Sequence, residues 1–205
     1  INTLAVCFWL LLWQAASACI GSEVLLVSPI KVLITLAHLI LTREFWATVL
    51  FSSVRILSGF LLAVAAGVVL AALAAASGVV RALLRPLMVT VKSIPVASFI
   101  ILALLWLRNA GNLAVFISFL MVLPIIYTNT LTGIRQTDCA LLELAKLYEL
   151  PAWRTIRYIR LPSVFPPFRA ACAVGLGLCW KSGVAAEVIG ITSGSIGEKL
   201  YDAKL

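Results

Sequence analysis

Of the side chains able to do bond chemistry, this sequence holds one histidine, His38, and five cysteines, Cys7, Cys19, Cys139, Cys172 and Cys179. No cysteines form a C-x-x-C pair or stand at metal-ligand spacing, so neither a zinc site nor a disulfide framework is expected, and they read as small apolar fillers. The stretch Ser193 to Lys199, SGSIGEK, superficially resembles a phosphate-binding loop. It fails the pattern, because G-x4-G-K-[ST] needs Gly where Glu198 stands and Ser or Thr where Leu200 stands. With scattered carboxylates and no clustered nucleophile, base or metal ligands, the chain is not expected to be an enzyme or to hold a cofactor or metal. The chemistry left is that of charge placed among apolar helices. Arg55, Lys181 and Glu187 are the candidates, since a charge in hydrocarbon costs ~2.5 to 3.5 kcal/mol on insertion scales and therefore faces a cavity or a partner. Burial against polar groups of a neighbouring helix, or exposure near an interface, serves Lys181 and Glu187 as well as contact with a solute does. These two lie six residues apart, about 240° around a helix, so they do not pair directly.

The elements that must position these groups are membrane spans. The chain of 205 residues is 63% hydrophobic and 12% charged, with a mean hydropathy of +1.12, against roughly 25% charged in soluble domains. Its net charge of +8 is explained by a positive-inside bias rather than by a nucleic-acid surface, because the basic residues are not clustered on a soluble domain. Ile1 to Ser22 is uncharged and long enough to cross. Ser28-Pro29 marks the start of an amphipathic helix over roughly 29 to 42 on the outer surface, with His38 at headgroup level. Ile56 to Val80 forms a second span, in which Gly59, Ala63, Gly67 and Ala71 make a face of small residues. A third span starts near Pro86 and is kinked at Pro95, with Lys92 snorkelling or turned to the protein interior. Arg108 to Asn112 form a tight outer turn. Leu113 to Ile134, bent at Pro124, is the fourth span, and Ala170 to Ile191 is the fifth.

Between the last two spans lies a polar and basic island, Glu143 to Pro162, ELAKLYELPAWRTIRYIRLP. Leu141, Leu142, Ala145 and Tyr148 recur at helical spacing, as do Trp153, Ile156 and Ile159, so each half offers an apolar stripe that needs a cover. That cover is either the base of a neighbouring span or a partner protein. The segments around 81 to 92 and 135 to 169 carry nine of the sixteen basic residues, which puts both on the cytoplasmic side, the N-terminus inside and the C-terminal end outside.

Glu143, Ala145, Glu149, Ile159, Leu161 and Pro162 fall at the spacing E-x-A-x3-[G]-x9-I-x-L-P, which resembles the EAA loop in permease subunits of bacterial ABC importers. Leu144 stands where that family has a second alanine, and Glu149 where it has glycine. Across the chain, Leu25 to Pro29, Arg55 with Gly59-Phe60, Ile94-Pro95, Trp106, Pro124 with Asn129-Thr130 and Gly133, and Trp180 through Ala185-Ala186-Glu187 look like the nitrate/sulfonate/taurine branch.

The resemblance implies an all-α polytopic bundle of the type I importer permease kind. It would have about five spans here, an outer amphipathic helix and a coupling loop at 138–162 of two short helices broken near Glu149 to Pro151. Residues 1–205 would form a single permease domain of a longer protein that carries a further span. It implies a multi-pass protein of the bacterial inner membrane that moves a small anion by alternating access. The partners implied are an ABC ATPase bearing ATP and Mg, a second permease copy, an extracytoplasmic solute-binding protein and membrane lipid, with no nucleic acid. A secondary transporter is the rival, but it would show inverted repeats, and none is evident.

Overall fold

The computed structural model describes residues 2–21, 26–107 and 110–203. Ile1, Ser22 and Leu25, like Arg108 and Asn109 of the expected outer turn, lie outside the described residues. The described residues form helices joined by short turns, with no strand among them. Among the described residues four helices are long and apolar enough to cross a membrane, or five if one bent pair counts as a span. By contacts the chain forms two compact units, Ile1–Val49 and Leu50–Leu205.

The first unit holds α1 (Asn2–Ile20) and α2 (Pro29–Ile40). Ser28 caps α2 as its sequence requires: the hydroxyl accepts from the Lys31 amide and Pro29 occupies the first turn, where a missing N–H does no harm. Trp13 Nε1 donates to Val27 O at 3.1 Å and Ser17 Oγ to Leu26 O at 2.9 Å, tying α1 to the approach of α2. His38 is exposed on α2.

The helix expected over Ile56 to Val80 is longer and begins earlier, as α3 (Arg43–Ala76). Thr42 Oγ1 accepts from the Phe45 amide at 3.3 Å and starts it, and Arg55 is carried half-buried inside it rather than ending it. Ser77 then caps α4 (Gly78–Ser93), so the second span stops at Ala76, four residues short of Val80.

The third span is corrected more deeply. α4 and α5 (Val96–Trp106) meet at 105°, not at a kink within one straight span. Ile94 and Pro95 are both extended, with ψ of 133° and 137°. Proline excludes its predecessor from helical geometry, and two extended residues in a row swing the axis. Lys92 is exposed near this corner, and its Nζ donates to Thr128 Oγ1 at 2.8 Å.

α6 (Leu113–Arg135) runs unbroken through Pro124 and is the most enclosed helix of the second unit. The small-residue face of α3 packs on it. Gly59, Ala63, Gly67 and Ala71 are all buried, and a Cβ on Gly67 would lie 2.8 Å from Ile126 Cγ2. α9 (Leu161–Gly190) closes the third side, with Gly183 against Ile56 and Ser118, and Ser118 Oγ donating to Cys179 O at 3.2 Å. Three helices therefore meet where side chains are smallest, the arrangement that lets dispersion operate over backbone contact in lipid.

Candidate functional site

The polar loop is built first from α7 (Cys139–Leu147), capped by Asp138, whose carboxylate accepts from the Ala140 amide at 2.8 Å. Its far end is closed by Leu150 N donating to Ala145 O at 2.9 Å and Glu149 N to Lys146 O at 3.1 Å. This pair of bonds is a Schellman closure, which requires a left-handed residue at the position of Glu149. Glu149 has φ of +48°, the conformation glycine adopts without strain. Ala145 is 4% exposed beside Leu150. The covered Ala145, whose carbonyl accepts, and the glycine-like turn at 149 thus belong to one cap.

A non-glycine left-handed residue stores about 1 kcal/mol or more. Glu149→Gly is therefore expected to raise the unfolding free energy of the purified protein by about 1 kcal/mol. A fall in thermal stability would show that the Glu149 side chain contributes more than its backbone costs.

The second half of the loop is not a separate short helix. α8 (Ala152–Thr155) passes through a π-helical turn at Ile156–Arg160 into α9, giving one apolar helical run over Ala152–Gly190. The fifth span accordingly begins well before Ala170. Pro162 has no amide to give and its ring crowds the carbonyl four residues back. The wider turn, in which Leu161 N donates to Ile156 O, accommodates this. Of the motif positions, Ile159 is half-buried in the π turn, while Leu161 and Pro162 are exposed just beyond it. Glu143 is exposed on α7, as are Leu141, Leu144, Leu147 and Tyr148. Trp153 and Ile156 are exposed on the other arm, with the Arg157 guanidinium 5.7 Å from the Trp153 ring centroid. The stripes expected here are therefore only partly open: Leu141 and Tyr148 of the first and Trp153 and Ile156 of the second are exposed, while Ala145 is buried and Leu142 and Ile159 are half-buried within the chain's own fold. Between the arms lies a cleft of about 450 Å³ lined by Lys146, Glu149 and Arg160 among others.

The intramembrane charges separate into two environments. Lys181 is exposed on α9, on a face shared with Pro166, Arg169, Ala170, Ala173 and Gly177. Glu187, on the same helix, is 0% exposed. Its Oε2 accepts from Ser52 Oγ at 2.8 Å and from the Gly197 amide at 3.4 Å. Arg55 lies one turn beyond Ser52 on α3, within electrostatic reach of Glu187. Its guanidinium sits 4.5 Å from the Phe51 ring centroid and its Nη1 is buried without a hydrogen-bond partner. Arg55 thus stands within electrostatic reach of the enclosed Glu187, whereas Lys181 is exposed.

Ser52, Ser195 and Gly197 escaped the sequence reading. Ser195 caps α10 (Ile196–Asp202) by accepting from Glu198 N at 3.1 Å, and Glu198 Oε2 accepts from Gly194 N at 2.6 Å. The signal was there as S-x-x-E, a helix-start pattern, in the stretch weighed only as a phosphate loop.

The comparisons with known proteins agree with this architecture. The nitrate import permease protein NrtB of Synechococcus elongatus is 26% identical over 205 residues, covering 95% of this chain and 73% of that protein. SsuC of Bacillus subtilis, named for aliphatic sulfonates transport, is 28% identical over 194 residues, 94% of this chain and 70% of its own length. SsuC of Escherichia coli, with the same designation, is 31% identical over 184 residues, 89% and 70% of the two chains. The family model for the binding-protein-dependent transport system inner membrane component matches residues 63–205. The chain therefore belongs to that family, as a multi-pass membrane permease of the nitrate and sulfonate branch of ABC importers.

Proposed function

We propose that this permease carries a small oxyanion, of the nitrate or sulfonate kind, past a route beside which Arg55, Lys181 and Glu187 lie. The observation that carries this is Lys181, a cation left exposed on a membrane helix among Ala170, Ala173 and Gly177. Small neighbours leave room there, and the charge needs an aqueous or anionic counterpart to offset its cost in lipid. The relatives' names, for nitrate and for aliphatic sulfonates, share that chemistry. In this reading the N-terminus is cytoplasmic and two copies of the chain, set in lipid, frame the route. A solute-binding protein delivers from outside, and a separate ATPase carrying ATP and Mg docks on residues 138–162 through Glu143, Ala145, Glu149, Ile159, Leu161 and Pro162. The exposed apolar side chains of the two arms, Leu141, Leu144, Leu147 and Tyr148 on one and Trp153 and Ile156 on the other, support the docking.

Uptake of labelled nitrate and of an alkanesulfonate into vesicles holding the whole transporter tests the reading. Lys181→Ala is expected to lower uptake at least ~10-fold, the equivalent of about 1.4 kcal/mol, with Lys181→Arg retaining most of it. Wild-type uptake by Lys181→Ala and Arg55→Ala together would remove the anion route from these positions.

A further inference from the structure

Glu187 has a set of contacts that a solute ligand does not need. Its side chain joins Ser52 on α3 to the Gly197 amide at the start of α10, and Ser52 Oγ in turn accepts from the Ile196 amide at 2.9 Å. Its backbone carbonyl accepts from both Ile191 N and Thr192 N, closing the turn that leaves α9. That turn places Ile191 at φ +44°, a left-handed conformation that a β-branched residue adopts only when its surroundings dictate it. Gly197 lies so close to Glu187 that a Cβ would overlap the Glu187 backbone carbon and Cβ and the Val188 nitrogen. Ser195 and Gly197 are buried with it.

We propose that Glu187 is a positioning residue, a latch that fastens residues 192–203 onto α9 and α3 against the strain at Ile191, and that it does not itself bind the solute. The carboxylate is fully enclosed and one of its oxygens is already shared between two donors. Its other oxygen, Oε1, and the Arg55 Nη1 are each buried without a hydrogen-bond partner among the described residues, and of the two only the guanidinium offers the donor an anion would use. Because α9 continues without a break into the loop arm at Ala152, a rotation of that arm reaches Glu187 through one helical rod. Rotation moves the carboxylate relative to Ser52 and loosens the latch, freeing the strained turn. For its role in transport this rests on the coupling assigned above to residues 138–162. The latch itself does not.

Hydrogen exchange of the whole transporter in lipid nanodiscs, without solute or nucleotide, separates the two. In Glu187→Ala the amides of Ile196 and Gly197 are expected to exchange at least ~10-fold faster, while α9 peptides over 171–183 keep their protection. Ser52→Ala should move the same amides in the same direction, and Gly197→Ala should do so by removing space while leaving the carboxylate intact. Glu187→Gln retains an acceptor oxygen and should stay within about threefold of the parent protein. Unchanged exchange in Glu187→Ala, or a Glu187→Gln variant as fast as Glu187→Ala, overturns the latch. If Glu187→Ala loses protection throughout α9, Ser52→Ala decides alone: unchanged exchange at 196 and 197 in that variant overturns the proposal. A working latch with failed nitrate and sulfonate uptake would count against the anion reading only.

Discussion

Glu143→Ala and Ala145→Glu are each expected to strip the ATPase from the purified transporter while the membrane helices stay folded. Glu143 is exposed on α7, so its donor in the docked complex comes from the partner proposed above. Losing a hydrogen bond to a charged group costs ~1.5 to 3 kcal/mol, or on the order of 10- to 100-fold in affinity. Ala145 acts from the inside of the same element. It is the position whose carbonyl closes the cap with Leu150 N, and its methyl is almost fully covered. A carboxylate forced into that space lacks a described donor and pushes Leu150 and the Glu149 turn outward, changing the angle between the two arms. Co-purification of the ATPase and solute-stimulated ATP hydrolysis measure both effects, with circular dichroism reporting the helices. Normal attachment and normal stimulation in both variants would make the loop a connector and take away the docking assignment.

The second large effect concerns the fold. Gly59→Val is expected to lower the thermal midpoint of the purified protein by roughly 5 to 10 °C or to abolish its folded yield, from an overpacking cost of about 1 to 3 kcal/mol. A Cβ at Gly59 would overlap the Val115 carbonyl oxygen and stand 2.9 Å from Ser118 Cβ. A helical carbonyl cannot rotate aside, so α3 and α6 must separate and give up the contacts along Ala63, Gly67 and Ala71. Gly177→Val is the matched control on α9, where a Cβ meets nothing within 4 Å in this chain. It should leave the monomer's folded yield unchanged. Equal losses from the two substitutions would mean that valine at any glycine position, rather than the α3–α6 crossing, governs stability.

Much of this structure is legible in local chemistry. The uncharged stretches became helices because hydrogen bonds within one segment are the only economical way to satisfy a backbone in lipid. Ser28-Pro29 starts α2, and the i, i+4 run from Gly59 to Ala71 is the packed face. The break between α7 and α8 falls at Glu149, because α7's closure and Leu150-Pro151 are both short-range demands. None of these needs information from more than a few residues away.

What the tertiary structure decided is different in kind. Pro95 foretells a disturbance, but the 105° corner between α4 and α5 depends on the surfaces each helix finds. Hydropathy marks residues 152–160 as polar and exposed, yet they continue the fifth span as one rod, since a π turn absorbs Pro162 at less loss than ending the helix there. Above all, a charge counted along the chain carries no address. Lys181 and Glu187 look alike as intramembrane charges six residues apart, and only the fold leaves one exposed while enclosing the other. Ser52, 135 residues from Glu187, gives no sign of its role in the sequence, because the hydrogen bond exists only after α3 and α9 have met.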